Sequence, residues 1–145
     1  MHKRWELSKD FRFEAAHKLP NHDGKCARLH GHSWKGTVRV SGLQLHTAGP
    51  KEGMVIDFSD VKKPIEALVE EKLDHHYLNE SLTLVPIPTS ECVAEWMFIA
   101  LSKLLPPGVK LESVTIEETC TSRCTYSEIP DEAVKILPGG TQVTR

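Results

Sequence analysis

Residues 5–17, WELSKDFRFEAAH, alternate like a strand: Phe11, Phe13 and Ala15 fall on one side, and His17 continues their parity. The next residues, LPNHDGKC (19–26), carry Pro, Asn, Asp and Gly, the composition of a loop. A second alternating run extends from about His30 to Leu45, with Trp34, Val38 and Val40 among its apolar positions. AGPKEG (48–53) reads as a turn and MVIDF (54–58) as a third strand, the return limb of a long hairpin.

Beyond the hairpin the period changes. SDVKKPIEALVEEKL (59–73) has helical spacing at Val61, Ile65, Leu68, Val69 and Leu73. Ser59 or Asp60 can cap its start, and Pro64 fits only if it lies in the first turn. DHHYLNES (74–81) reads as a loop. In PTSECVAEWMFIALSKLLPPG (88–108), Thr89 or Ser90 is the N-cap, with Glu91 and Glu95 toward the positive end and PPG as the stop. Val93, Trp96, Met97, Ala100, Leu101 and Leu104 form its apolar stripe. KLESVTIEETC (110–120) returns to alternation, with Val114, Ile116 and Glu118 on one face, and CTYSEI (124–129) follows as a last strand. Strands, then two helices, then strands predict an α+β fold: an antiparallel four-stranded sheet with two helices packed on one face. Residues 1–129 are expected to form a single domain, and residues 130–145 a loosely ordered tail.

The 145 residues carry 18 Lys plus Arg against 20 Asp plus Glu, a balance that gives no support for a nucleic-acid partner. No apolar run approaches the roughly 20 residues that span a bilayer, so no membrane partner is expected. MHKRWELSKDF lacks the apolar core of an export signal. The four cysteines, Cys26, Cys92, Cys120 and Cys124, are therefore expected to be reduced thiols in a cytoplasmic protein.

CARLHGHSW (26–34) concentrates the chemistry. In a strand, residues i and i+2 share a face with Cα atoms about 6.6 Å apart, so His30 and His32 can converge on one ion. Gly31 between them relieves crowding and permits an unusual backbone angle. His17, at the end of the preceding strand, can supply a third nitrogen if the two strands are neighbours. Three imidazoles suit zinc and leave a coordination position open, as catalytic sites do. Spacing alone leaves a closed structural site of Cys26 with three histidines equally open. His22 and His46 have no partners in the sequence and default to the surface.

FEAAH, C-x-x-x-HGH, LDHHYLN, PTSE and EETC, in this order from Phe11 to Cys124, resemble the 6-pyruvoyl-tetrahydropterin synthase superfamily. The three residues between Cys26 and His30 look like the 6-carboxy-5,6,7,8-tetrahydropterin synthases of queuosine biosynthesis; pyruvoyl-forming enzymes typically have a longer insert. The resemblance implies a tunnelling fold, trimers whose sheets close into a barrel, a homohexamer of two trimers, and active sites between subunits. It implies one Zn2+ per chain on His17, His30 and His32, with Cys26 as the catalytic thiol and Asp74 orienting a catalytic His75. It also implies that Glu118 anchors a pterin ring, with Thr89, Ser90 and Glu91 in contact with the same ring. Trp34 after HGHS departs from the family's usual aromatic, and Cys120 and Cys124 acquire no role.

The implied reaction converts 7,8-dihydroneopterin triphosphate to 6-carboxy-5,6,7,8-tetrahydropterin, acetaldehyde and triphosphate. Its requirements are a Lewis acid at the side-chain hydroxyls, a base of matched pKa, and a carboxylate for the guanidine-like edge of the ring. Two alternatives stand beside it: the pyruvoyl-forming phosphate lyase of the same superfamily, and a non-catalytic zinc- or pterin-binding module.

Overall fold

A computed structural model describes residues 1–134. Strand β1 (Trp5–His17) and strand β2 (His30–Gly42) pair antiparallel along their whole length, from Trp5 opposite Gly42 to His17 opposite His30. Phe13 therefore stands opposite Trp34, and their rings stack with centroids 5.6 Å apart. The sheet continues through β4 (Lys110–Thr119) and β5 (Ser122–Tyr126), both antiparallel to their neighbours. On the other side of β1 lies a two-residue strand, β3 (His76–Tyr77), and it runs parallel to β1. The sheet is thus mixed and five-stranded, in the order β3-β1-β2-β4-β5, where four antiparallel strands were expected. The extra strand is too short to carry a period, which is why sequence alternation cannot reveal it.

MVIDF is not a strand. Met54–Asp57 stays in the loop before helix α1 (Phe58–Leu68), which Phe58 opens; the loop is held where His46 N–H donates to the Met54 carbonyl and Gly53 N–H to that of His46. The helix cap is Asp57, whose side chain accepts from Ser59 N, rather than Ser59 or Asp60. Pro64 lies inside α1, beyond the first turn; the N–H it lacks would have met the carbonyl of Asp60. The last turn, Val69–Leu73, widens to a π-turn closed by Asp74 N–H on the Val69 carbonyl at 2.7 Å. That extra residue seats Leu73 in the core and delivers Asp74 and His75 to the end of β1.

DHHYLNES is likewise more than a loop: it contains β3 and a single helical turn, α2 (Leu78–Ser81). Helix α3 (Ser90–Ser102) is capped by Thr89, whose hydroxyl accepts from Cys92 N. Its buried residues are Val93, Ala94, Met97, Phe98 and Leu101; Trp96 and Ala100 are half-buried, and Leu104, expected in the stripe, is exposed beyond the helix end. The expected loose tail begins with one helical turn, α4 (Asp131–Val134); residues 135–145 lie outside the described residues.

Both long helices cover the same face of the sheet. Phe11, Phe13, Trp34, Val38, Val114 and Ile116 meet Val61, Ile65, Val93, Met97 and Leu101 in one core. The opposite face is polar, laced by Ser33 Oγ to Glu14 Oε2 (2.7 Å), Thr37 Oγ1 to Asp10 Oδ1 (2.8 Å) and Lys35 Nζ between Asp10 and Glu117. Gly36 sits opposite Phe11, and a Cβ there would fall 1.9 Å from the Phe11 ring. A Cβ at Gly31, by contrast, would only touch the Ala15 carbonyl at 3.4 Å, and its backbone is ordinary strand. Gly31 is therefore not required by crowding or by φ, contrary to expectation. Gly36→Ala is expected to lower stability by about 1–3 kcal/mol in urea unfolding, through overpacking against Phe11.

Candidate metal centre and pterin pocket

Because β1 and β2 end in register, the rung His17–His30 brings two imidazoles together with their planes inclined by 60°, and His32 joins them from the next position on the same side of the sheet. Nε2 of His17 lies 3.0 Å from Nε2 of His30, and the ligand-capable atoms of His17, His30, His32 and Glu118 all fall within 4.8 Å of one another. His17 is fully buried, and Trp34 stands edge-on behind His17 and His32. Asn79 fixes the strand end by bonding both ways to Lys18: its Oδ1 accepts from Lys18 N (3.0 Å), and its Nδ2 donates to the Lys18 carbonyl (2.8 Å).

The tautomers follow from the partners. His17 Nδ1 faces the Pro88 carbonyl at 2.8 Å, and His30 Nδ1 faces the Arg28 carbonyl at 2.7 Å. A carbonyl only accepts, so both Nδ1 atoms carry the proton and both Nε2 atoms present lone pairs in the neutral rings. Two lone pairs aimed at each other across 3.0 Å repel unless a cation lies between them. Two nitrogens on a tetrahedral zinc stand about 3.4 Å apart for bonds of about 2.1 Å, close to the spacing seen. His32 Nε2 lies 3.2 Å from Glu118 Oε1 but off the direction of a hydrogen bond, and it is a buried polar atom without a hydrogen-bond partner. The donor set therefore fits a metal ion. The Pro88 and Arg28 carbonyls that hold the rings are the second-shell partners such a site needs, and no sequence signal marks a backbone carbonyl in advance.

The remaining expected residues divide into two groups. Cys26 lies in the 3₁₀ turn Lys25–Ala27 and lines a cleft of about 370 Å³ with Lys25, Arg28, Leu29, His30 and His32. It stands beside the imidazoles, outside the cluster of ligand atoms. Glu118 is held by Ser90, whose Oγ donates to Oε2 at 3.0 Å, leaving Oε1 toward His32. Thr89 spends its hydroxyl on the helix cap, and Glu91 is exposed on the first turn of α3.

Asp74 and His75 belong elsewhere. His75 Nδ1 donates to Asp74 Oδ2 at 2.8 Å, and Asp74 Oδ1 accepts from Glu14 N at 2.8 Å. The Glu14 amide, with His75 beside it, holds the Asp74 carboxyl below its ordinary value. His75 has a positive φ of 58°, and its exposed ring borders a cleft with Glu14, Ala16 and Ser33, on the polar side of the sheet. Within one chain the dyad and the thiol thus line two different clefts, which share His32. His22 and His46 are exposed, and all four cysteines are free.

Burial pushes the His17 and His32 imidazoles below the ordinary histidine value. In the unfolded chain both titrate near ~6.5, so below that pH the unfolded chain binds more protons than the folded one. The metal-free protein is therefore expected to keep this contribution above about pH 6.5 and to lose it as pH falls toward the depressed folded values. Melting temperatures of chelator-treated protein between pH 8 and 5 measure this; a flat profile contradicts it.

Residues 6–129 match the family model described as 6-pyruvoyl tetrahydropterin synthase. The chain is 52% identical over 122 residues to a Synechocystis protein named 6-carboxy-5,6,7,8-tetrahydropterin synthase, covering 84% of this chain and 92% of the relative. A Haemophilus influenzae protein of the same name is 35% identical, with 86% and 99% covered. Among solved structures, the 6-pyruvoyl tetrahydropterin synthase of Caenorhabditis elegans superposes with a TM-score of 0.73 at 30% identity, over 88% of this chain and 98% of that one. The ordered motifs, the mixed sheet under two helices and the imidazole cluster therefore have one common source: the chain belongs to the 6-pyruvoyl tetrahydropterin synthase family of enzymes.

Proposed function

We propose that this chain is a zinc-dependent carbon–carbon lyase. It converts 7,8-dihydroneopterin triphosphate and one water to 6-carboxy-5,6,7,8-tetrahydropterin, acetaldehyde and triphosphate, as a cytoplasmic step of queuosine (7-deazapurine) biosynthesis. The observation that carries this reading is the pair of Nε2 lone pairs meeting at 3.0 Å beside His32, with the Cys26 thiol on the wall of the same site. The three-residue spacing from Cys26 to His30 and the names of the Synechocystis and Haemophilus influenzae relatives favour the carboxy product. Residues 1–129 form the single domain that does this work. Among the described residues no helix is long and apolar enough to cross a membrane.

His17, His30 and His32 hold the ion, each as a neutral imidazole, and three nitrogen donors suit zinc. Bound zinc supplies Lewis acidity to the substrate's side-chain hydroxyls. Cys26 takes a proton at Sγ. Glu118, fixed through Ser90, accepts from the parallel N–H donors of the pterin edge, with Thr89 and Glu91 at the start of α3 bordering the same ring. Asp74 fixes the tautomer of His75, leaving its Nε2 free to pass a proton. A homohexamer built from two trimers supplies that dyad from a neighbouring copy, consistent with its opening into a different cleft from Cys26 within one chain.

With the zinc-loaded protein and the triphosphate substrate, acetaldehyde is expected to appear in step with the carboxy-pterin. A pyruvoyl-pterin with no acetaldehyde identifies the phosphate-lyase reaction instead. Cys26→Ala is expected to keep about one zinc per chain by elemental analysis while turnover falls by 10²–10⁴, whereas His30→Ala loses the metal. Zinc loss in Cys26→Ala makes the thiol a ligand, and a wild type that binds pterin without turnover is a binding module.

A further inference from the structure

We propose that Lys25 and Arg28 form a polyphosphate clamp on the rim of the metal cleft. It rests on the pterin-triphosphate reading and adds the part of the site that reads the anionic end. Lys25–Ala27 is a 3₁₀ turn, closed by Arg28 N–H on the Lys25 carbonyl at 3.1 Å. Arg28, just past the turn, continues in extended backbone toward His30. Lys25 and Arg28 both line the cleft that Cys26, His30 and His32 also line. Among the described residues neither cation is ion-paired to a carboxylate; the neighbouring Asp23 lies 3.8 Å from His22 Nδ1 instead.

The turn does not wander. Leu19 N–H donates to the Cys26 carbonyl at 2.8 Å, and the Arg28 carbonyl accepts from His30 Nδ1 at 2.7 Å. Arg28 therefore joins the two ends of the pocket: its carbonyl orients a metal-site imidazole while its side chain lines the cleft. Followed contact by contact, the site runs from Glu118 to His32, to His30, to Arg28 and Lys25. A carboxylate stands at one end and two cations at the other. The substrate has the same polarity reversed, with a ring edge of N–H donors at one end and a triphosphate at the other. Guanidinium and ammonium groups are the usual partners of phosphate oxygens.

The test compares neopterin with neopterin triphosphate, both non-reacting, by titration calorimetry on the zinc-loaded protein. Wild type is expected to favour the triphosphate, and the double variant Lys25→Ala/Arg28→Ala to lose on the order of tenfold of that preference while binding neopterin as before. In turnover the same variant raises KM for the triphosphate more than it lowers kcat, and the wild-type preference shrinks with added salt. An unchanged preference with intact neopterin binding overturns the clamp alone. Failure of the wild type to bind either pterin overturns the pterin reading, and the clamp with it. Loss of neopterin binding in the double variant also overturns the clamp, since the two residues would then shape the whole site.

Discussion

The last rung of one β-ladder governs this molecule. His17 faces His30 because thirteen consecutive pairs of β1 and β2 hold the register from Trp5–Gly42 onward. A slip of one residue would turn every side chain of one strand to the other face, removing Phe13 from Trp34 and His17 from its partner together. Core and imidazole cluster thus depend on the same alignment. The stacked Phe13 and Trp34 rings and the clash that keeps Gly36 bare opposite Phe11 fix that alignment from the apolar side. The cost falls on His17 and His30, whose neutral rings present lone pairs to each other.

Much of this was legible beforehand. Parity placed His17 with Phe11 and Phe13, and H-x-H placed His30 with His32, because a strand's period of two survives any tertiary context. Helix α3 announced itself through Thr89, its glutamates and the closing prolines. Elements that failed lacked a period or a cap of their own. MVIDF has β-favouring residues, yet Asp57 within it caps the next helix, and the cap wins over propensity. Pro64 was expected to fit only within a first turn, but α1 carries it in its interior, beyond that turn. The two residues of β3 were invisible, because their pairing with β1 is long-range.

At the site, the residue types were readable and their grouping was not. Cys26, His30 and His32 are close in sequence and share a cleft. Glu118 reaches them only because β4 pairs with β2 and Ser90 holds the carboxylate from α3. Asp74 and His75 were noticed as a pair, and they are one, but the π-turn before them directs them to the polar side of the sheet. Which face a dyad occupies depends on one extra residue in a helical turn, and no periodicity argument registers that.

The hairpin also sets the order in which the cluster's parts emerge along the chain. All three imidazoles lie within the first 32 residues of 145, on two strands joined by a short loop, so bringing them together closes only a local stretch of chain. The Pro88 carbonyl and the carboxylate of Glu118 come from much later in the chain, beyond α1 and beyond α3 respectively. During synthesis, the three imidazoles emerge before either of the groups, Pro88 and Glu118, that meet them from outside the hairpin.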